Sequence, residues 1–221
     1  MIGDALSYPK SGESWLRTVL IGGLLLLFSW LIVPAILLQG YLLRVLRAGS
    51  EEAVEPPVFD EWADMLVDGL KVIAVAIGFF LVPFVLAVLL GLTFGGFEAG
   101  AIGFLVGVVV FAAYLVAAYL LPAGLTNMAM EGSLGAAFDT DVLRRVGGSS
   151  DYLVAVASAI VIGVILGAVA SMLTVVLVGV FLLFYVQVAM YYLIGRGYGQ
   201  AMEMTPETTG DVTPGRAEPT E

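Results

Sequence analysis

Residues Tyr152 to Gly195 form one run of 44 residues without a charge. As a single helix rising ~1.5 Å per residue it would be ~65 Å long. The hydrocarbon core of a bilayer is only ~30 Å thick and takes ~20 residues to cross. The run is too long for one crossing and about right for two, with a weak turn signal between Ser171 and Thr174. The rest of the chain agrees. It is 60% hydrophobic and 13% charged, where soluble domains have ~45–50% apolar and ~25% charged residues. The fold class read from this is an all-α integral membrane protein.

Three more apolar runs precede this one, over residues 18–43, 72–94 and 101–121. With the long run divided at 152–171 and 174–195, the expectation is a bundle of about five transmembrane helices within a membrane domain over 18–197. Pro34 and Pro83 lie inside the first two runs, and Pro122 ends the third. A proline removes one backbone hydrogen bond and kinks a helix. Membrane helices tolerate this where neighbours satisfy the freed carbonyl. Residues 1–17, with Tyr8 and Trp15, read as an interfacial lead-in. Residues 198–221, rich in Pro, Thr and Glu, read as a disordered acidic tail.

Two shorter pieces look amphipathic. In FDEWADMLVDGLK, Phe59, Trp62, Met65, Leu66 and Leu70 recur at helical spacing, and Asp60, Glu61, Asp64 and Asp68 take the other face. Residues 139–150 hold a second piece, with Asp139 or Thr140 as its cap. Both are expected to lie on the membrane surface. The carboxylates of the first piece form one solvated face at that spacing rather than a metal or acid–base group.

The two halves also resemble one another. Val33-Pro34-Ala35 matches Leu121-Pro122-Ala123, Gly49-Ser50 matches Gly132-Ser133, and Phe59-Asp60 matches Phe138-Asp139. This is either a parallel internal repeat, as in some transporters, or chance likeness in a low-complexity apolar sequence.

Nineteen acidic residues stand against nine basic ones, for a net charge of −10. All the acidic residues fall outside the apolar runs, a profile that suits concentrated salt and argues against nucleic-acid binding. Cysteine and histidine are absent, so no disulfide, Cys/His metal site or catalytic dyad can be built. No cofactor is called for and no enzyme is expected. Cytoplasmic loops are enriched in Lys and Arg. With five crossings, Arg44, Arg47, Lys71, Arg144, Arg145, Arg196 and Arg216 share one side with the C-terminus, against Lys10 and Arg17 on the other. The expectation is a multi-pass cell-membrane protein with surface helices and C-terminus cytoplasmic and the N-terminus outside. A re-entrant hairpin bent at Pro34 would instead put both termini inside.

No ionisable residue lies in mid-span, where function usually demands one. The intramembrane polar residues are Ser29, Gln39, Thr126, Asn127, Ser158, Ser171, Thr174 and Gln187. Gln39 and Asn127 each follow a proline, so Pro34, Gln39, Pro83, Pro122 and Asn127 are the candidate kink or polar-cavity positions. The plainer reading is that the amides hydrogen-bond between helices. Among glycine pairs four apart, which let helices approach closely, Gly103 with Gly107 and Gly163 with Gly167 are the candidate contacts. Gly91 with Gly95 and Gly195 with Gly199 have the same spacing.

Several segments together carry a family resemblance: DALSYPKSGESWLRTVLIGGLLLL, GYLLRVLRAG, EPPVFDEWADMLVDGLK, LLPAGLTNMAMEGSLGAAFD with DYLVA, and LIGRGYGQA. Over roughly residues 4–201 the chain resembles an uncharacterised membrane family of the domain-of-unknown-function series, common in haloarchaea. The resemblance implies a multi-pass membrane protein of an extreme halophile. It implies no activity and no site residues.

Two functions remain open. One is a permease-like or channel-like module for a small neutral or lipophilic substrate. The other is a scaffold that organises membrane lipids or partner proteins, itself included as a homo-oligomer, through its acidic surface helices. A polar cavity reaching Gln39 and Asn127 favours the first, and a solid glycine-packed bundle removes it.

Overall fold

A computed structural model describes residues 2–12, 14–94, 100–174 and 177–203. Those residues are helical with no strands. The helices are α1 (Ile2–Ser7), α2 (Trp15–Leu27), α3 (Ile32–Ser50), α4 (Trp62–Phe94), α5 (Gly100–Glu131), α6 (Thr140–Gly147), α7 (Ser150–Leu173) and α8 (Val178–Glu203). Short 3-10 turns lie at Tyr8–Lys10 and Leu134–Phe138. By length and composition, α3, α4, α5, α7 and α8 can each cross a membrane, and α2 is a shorter apolar helix.

The stretch 18–43, expected as one span, is two helices. The break falls at Phe28–Leu31 rather than at Pro34. In a continuous helix the Pro34 ring would clash with the carbonyl four residues back, at Trp30. The chain turns there instead, with Leu31 extended at φ −88°, ψ 144°. Pro34 then sits in the first turn of α3, where a missing N–H costs nothing.

This break decides where the termini lie. Arg196 of α8 pairs with Asp4 and with Glu52, both at 3.0 Å. The Tyr8 hydroxyl donates to the Glu55 carbonyl at 3.0 Å, and Ser11 Oγ donates to the Val54 carbonyl at 2.7 Å. Burial raises the Tyr8 phenol above its ordinary range, which keeps it a donor. The start of α1, the end of α3, the loop over residues 51–61 and the end of α8 therefore meet at one end of the bundle, here the loop end. α2 and α3 form a hairpin that enters and leaves by that end. The sequence-based expectation of an N-terminus opposite the C-terminal end of α8 is overturned.

The first amphipathic piece is continuous with the span that follows it, because nothing between Asp68 and Val72 breaks a helix. At ~50 Å, α4 exceeds the ~30 Å apolar core, and its acidic turns form the excess. The second piece is a helix of its own, α6. Asp139 caps it by accepting from the N–H groups of Asp141 and Val142 at 2.9 and 3.1 Å. α5 does not stop at Pro122. It continues to Glu131 and ends where Gly132 takes φ +72°. Pro122 frees the Ala118 carbonyl, and next to it the Tyr152 hydroxyl donates to the Tyr119 carbonyl at 2.9 Å. Pro83 is buried inside α4. Pro34 opens one helix and Pro122 lies within another, so the matched prolines of the two halves hold different helical positions.

Tyr152–Gly195 is divided between α7 and α8, with Thr174 capping α7. α8 runs to Glu203 and buries Tyr198 and Ala201, so the stretch expected as tail begins as helix. Residues 204–221, and 95–99 of the turn expected after α4, lie outside the described residues.

Candidate functional site: a trough along α3, α4 and α5

Glycine contacts hold the loop end closed. A Cβ on Gly40 would land on the Met65 carbonyl, and one on Gly69 would land on the Ile36 carbonyl. The backbones of α3 and α4 touch at these two points. A Cβ on Gly49 would meet the Tyr192 carbonyl, one on Gly195 the Leu46 carbonyl, and one on Gly199 the Ser50 carbonyl at 2.6 Å. Thus α3 lies directly on α8 as well. Gly195 and Gly199 form a working pair at this crossing. Of Gly163 and Gly167, Gly163 packs closely under Met190 of α8, while nothing stands within 4 Å of a Cβ on Gly167. Gly103 is buried in α5 and Gly107 is half-buried.

Asn127 is a brace and lines no cavity. Its Nδ2 donates to the Ala136 carbonyl at 2.8 Å, and its Oδ1 accepts from the Tyr198 hydroxyl at 2.7 Å. It ties α5 to the 3-10 turn and to α8. Gln39 is elsewhere and unbraced. The structure does not bring the two amides together, so the polar cavity sought between them does not form.

What does form is a trough on the other face of α3. At its mouth Arg44 faces three carboxylates: Asp60 at 3.3 Å, Glu61 at 3.6 Å and Asp68 at 3.8 Å. Lys71 holds Asp68 at 3.0 Å. This mouth has a volume of about 400 Å³ and is closed on the α5 side by Met128, Ala129 and Gly132. Further into the membrane, a groove of about 480 Å³ is lined by Gln39, Val72, Ala76, Phe80, Leu121 and Leu125, among others, with Tyr191 of α8.

Mouth and groove are successive turns of the same stripes. Residues four apart share a helix face. On α4 the stripe runs Asp64, Asp68, Val72, Ala76, Phe80. On α3 it runs Arg47, Leu43, Gln39, and on α5 Ala129, Leu125, Leu121. The charged mouth and the apolar groove therefore lie one after the other along α3, α4 and α5, and together make up a trough. Such a shape suits a molecule with a polar head and an apolar body.

Of the positions singled out in the sequence, Gln39 lines this trough. Pro34, Pro83 and Pro122 lie within α3, α4 and α5 without lining it, and Asn127 braces α5. Tyr191 and Arg44 were missed as site residues. The signal for Tyr191 was its place four residues after Gln187 on one apolar helix. Arg44 read as a membrane-edge charge because its partners arrive from another helix.

Among the described residues no group of His, Cys, Asp and Glu could hold a metal ion. Comparison with curated proteins and with solved structures gives no match. The family model described as Protein of unknown function (DUF4013) matches residues 24–193, and the chain belongs to that family.

Proposed function

We propose that this chain is a permease-like membrane module, without enzymatic chemistry, that takes a small neutral or lipophilic molecule from the bilayer into the trough. The observation that carries the reading is the succession of charged mouth and apolar groove along the same three helices, α3, α4 and α5. Membrane lipid, or a molecule dissolved in it, is the partner this reading calls for. The scaffold alternative draws less support. Asp60, Glu61 and Asp68 are turned to Arg44, and the piece that carries them is the top of a span. The test is photolabelling of the protein in nanodiscs with a diazirine-bearing amphiphile. Adducts should concentrate on Val72–Phe80, and Ala76→Trp, which fills the groove, should remove them. Adducts spread evenly over the lipid-facing residues of α7 would end the proposal.

We also propose that the loop end is cytoplasmic, with both termini inside. The support is the Lys and Arg bias: Lys10, Arg17, Arg44, Arg47, Lys71, Arg144, Arg145 and Arg196 all lie toward that end. Single cysteines placed in this cysteine-free chain at Ser11 and Glu203 should both resist an impermeant maleimide applied to intact cells. The acidic balance supports a working environment of concentrated salt. A melting temperature that falls as potassium chloride is raised would count against it.

A further inference from the structure

Three uncharged polar groups lie at membrane depth around the floor of the trough. Among the described residues, the side chains of Gln39 and Gln187 and the Tyr191 hydroxyl make no hydrogen bond. The Gln187 Oε1 is shut away without a partner. Gln187 precedes Arg196 by nine residues, which puts it ~13 Å further along the helix toward mid-bilayer. A polar group unsatisfied in hydrocarbon is costly, because no water is present to serve it.

The three groups share a place. Tyr191 lines the groove under Gln39 and also a second groove of about 430 Å³ between α7 and α8. That second groove is bounded by Gly163, Gly167, Gln187 and Met190. The open space at Gly167 belongs to it. Tyr191 thus lines both apolar grooves, with Gln39 in one and Gln187 in the other. No Lys, Arg, Asp or Glu lines either groove, so a charged group there would have no counter-ion.

We propose that the molecule held in the trough carries an uncharged hydrogen-bonding group, a hydroxyl or primary amide, on a long apolar body, and that Gln39, Tyr191 and Gln187 recognise that group. This rests on the reading of the trough as a binding site. An amide and a phenol together offer donors and acceptors, which a hydroxyl or amide can match at once and an ether or hydrocarbon cannot. The apolar body fills the two grooves.

The test uses the full chain in nanodiscs and two probes: a diazirine-bearing long-chain primary alcohol, and the same chain capped as its methyl ether. The alcohol should label residues around the two grooves about fivefold more than the ether, as expected from one hydrogen bond of typical net strength. Gln39→Leu and Gln187→Leu should each bring the alcohol down toward the ether without lowering ether labelling or the melting temperature, which Gln187→Leu should raise by removing an unpartnered polar group. Equal labelling by both probes, indifferent to either substitution, overturns this inference and leaves the trough standing. Labelling of neither groove by either probe overturns the trough as well. A Gln187→Leu chain that turns from dimer to monomer assigns the amide to a second copy, and the inference fails.

Discussion

Within α4, Met65, Gly69, Val72, Val75 and Phe79 are buried in the half nearer the loop end, with Pro83 the last buried residue; from Phe84 to Phe94 none is buried. Side-chain hydrogen bonds follow the same division. Toward the loop end they cross between elements: Tyr152 to Tyr119, Asn127 to Ala136 and Tyr198 to Asn127, with Tyr185 reaching Leu6 from deeper on α8. Toward the far end they stay within one helix, as from Thr93 to Leu89, Ser171 to Gly167 and Thr174 to Ala170. The first half is locked by backbone contact and polar braces. The second presents Leu89, Leu92, Phe104, Val164 and Met172 outward, where lipid is as good a neighbour as another helix. A membrane gives helices no hydrophobic reason to associate, so only the region with close packing and cross-helix hydrogen bonds has a dictated shape. The trough lies alongside the locked half, with Phe80 as its deepest lining residue on α4.

The largest effect should come from Gly40→Leu. The atom it would strike is the Met65 backbone, which has nowhere to move. Overpacking of this kind costs ~3 kcal/mol or more, and the protein should fail to yield a cooperative melt in detergent. A normal melt for that variant would break the comparison outright. Asn127→Leu comes next, because it leaves the Tyr198 hydroxyl and the Ala136 carbonyl without partners in a buried place. The expected loss is ~2 kcal/mol, read as a lowered melting temperature followed by near-ultraviolet circular dichroism. Tyr198→Phe in the same background should then add little, since the bond it removes is already gone. The smallest effect should be Leu92→Ala at the far end, within ~0.5 kcal/mol. A loss as large as that of Asn127→Leu would mean the far end is packed against something other than lipid, and would point to an interface between copies.

The trough was only partly legible in the sequence. Gln39 stood out as an amide at membrane depth. Asn127 stood out for the same reason, yet it is satisfied by the Ala136 carbonyl and Tyr198 and lines nothing. Sequence cannot tell these two apart, because what matters is whether a partner from another helix arrives. Glycine spacing misled in the same way. Gly163 and Gly167 have the right interval but only Gly163 is in close contact, whereas Gly195 and Gly199, at the same interval, both seat on α3, and their partners there, like Gly40 with Gly69, are set by helices that no interval within one helix identifies.

By itself the sequence determined the class. Forty-four uncharged residues in a row leave helices in a bilayer as the available structure, because backbone polar groups in lipid must be satisfied within the segment. Only the tertiary structure decided that the first run folds back on itself at Trp30, that both described ends meet at Arg196, and that mouth and groove form one trough. Each depends on long-range contact: Arg196 with Asp4 and Glu52, or α3 seated between α4 and α8. Such contacts are set by which helices lie side by side, and hydrophobic periodicity along one helix does not encode that choice when every helix is apolar nearly all round.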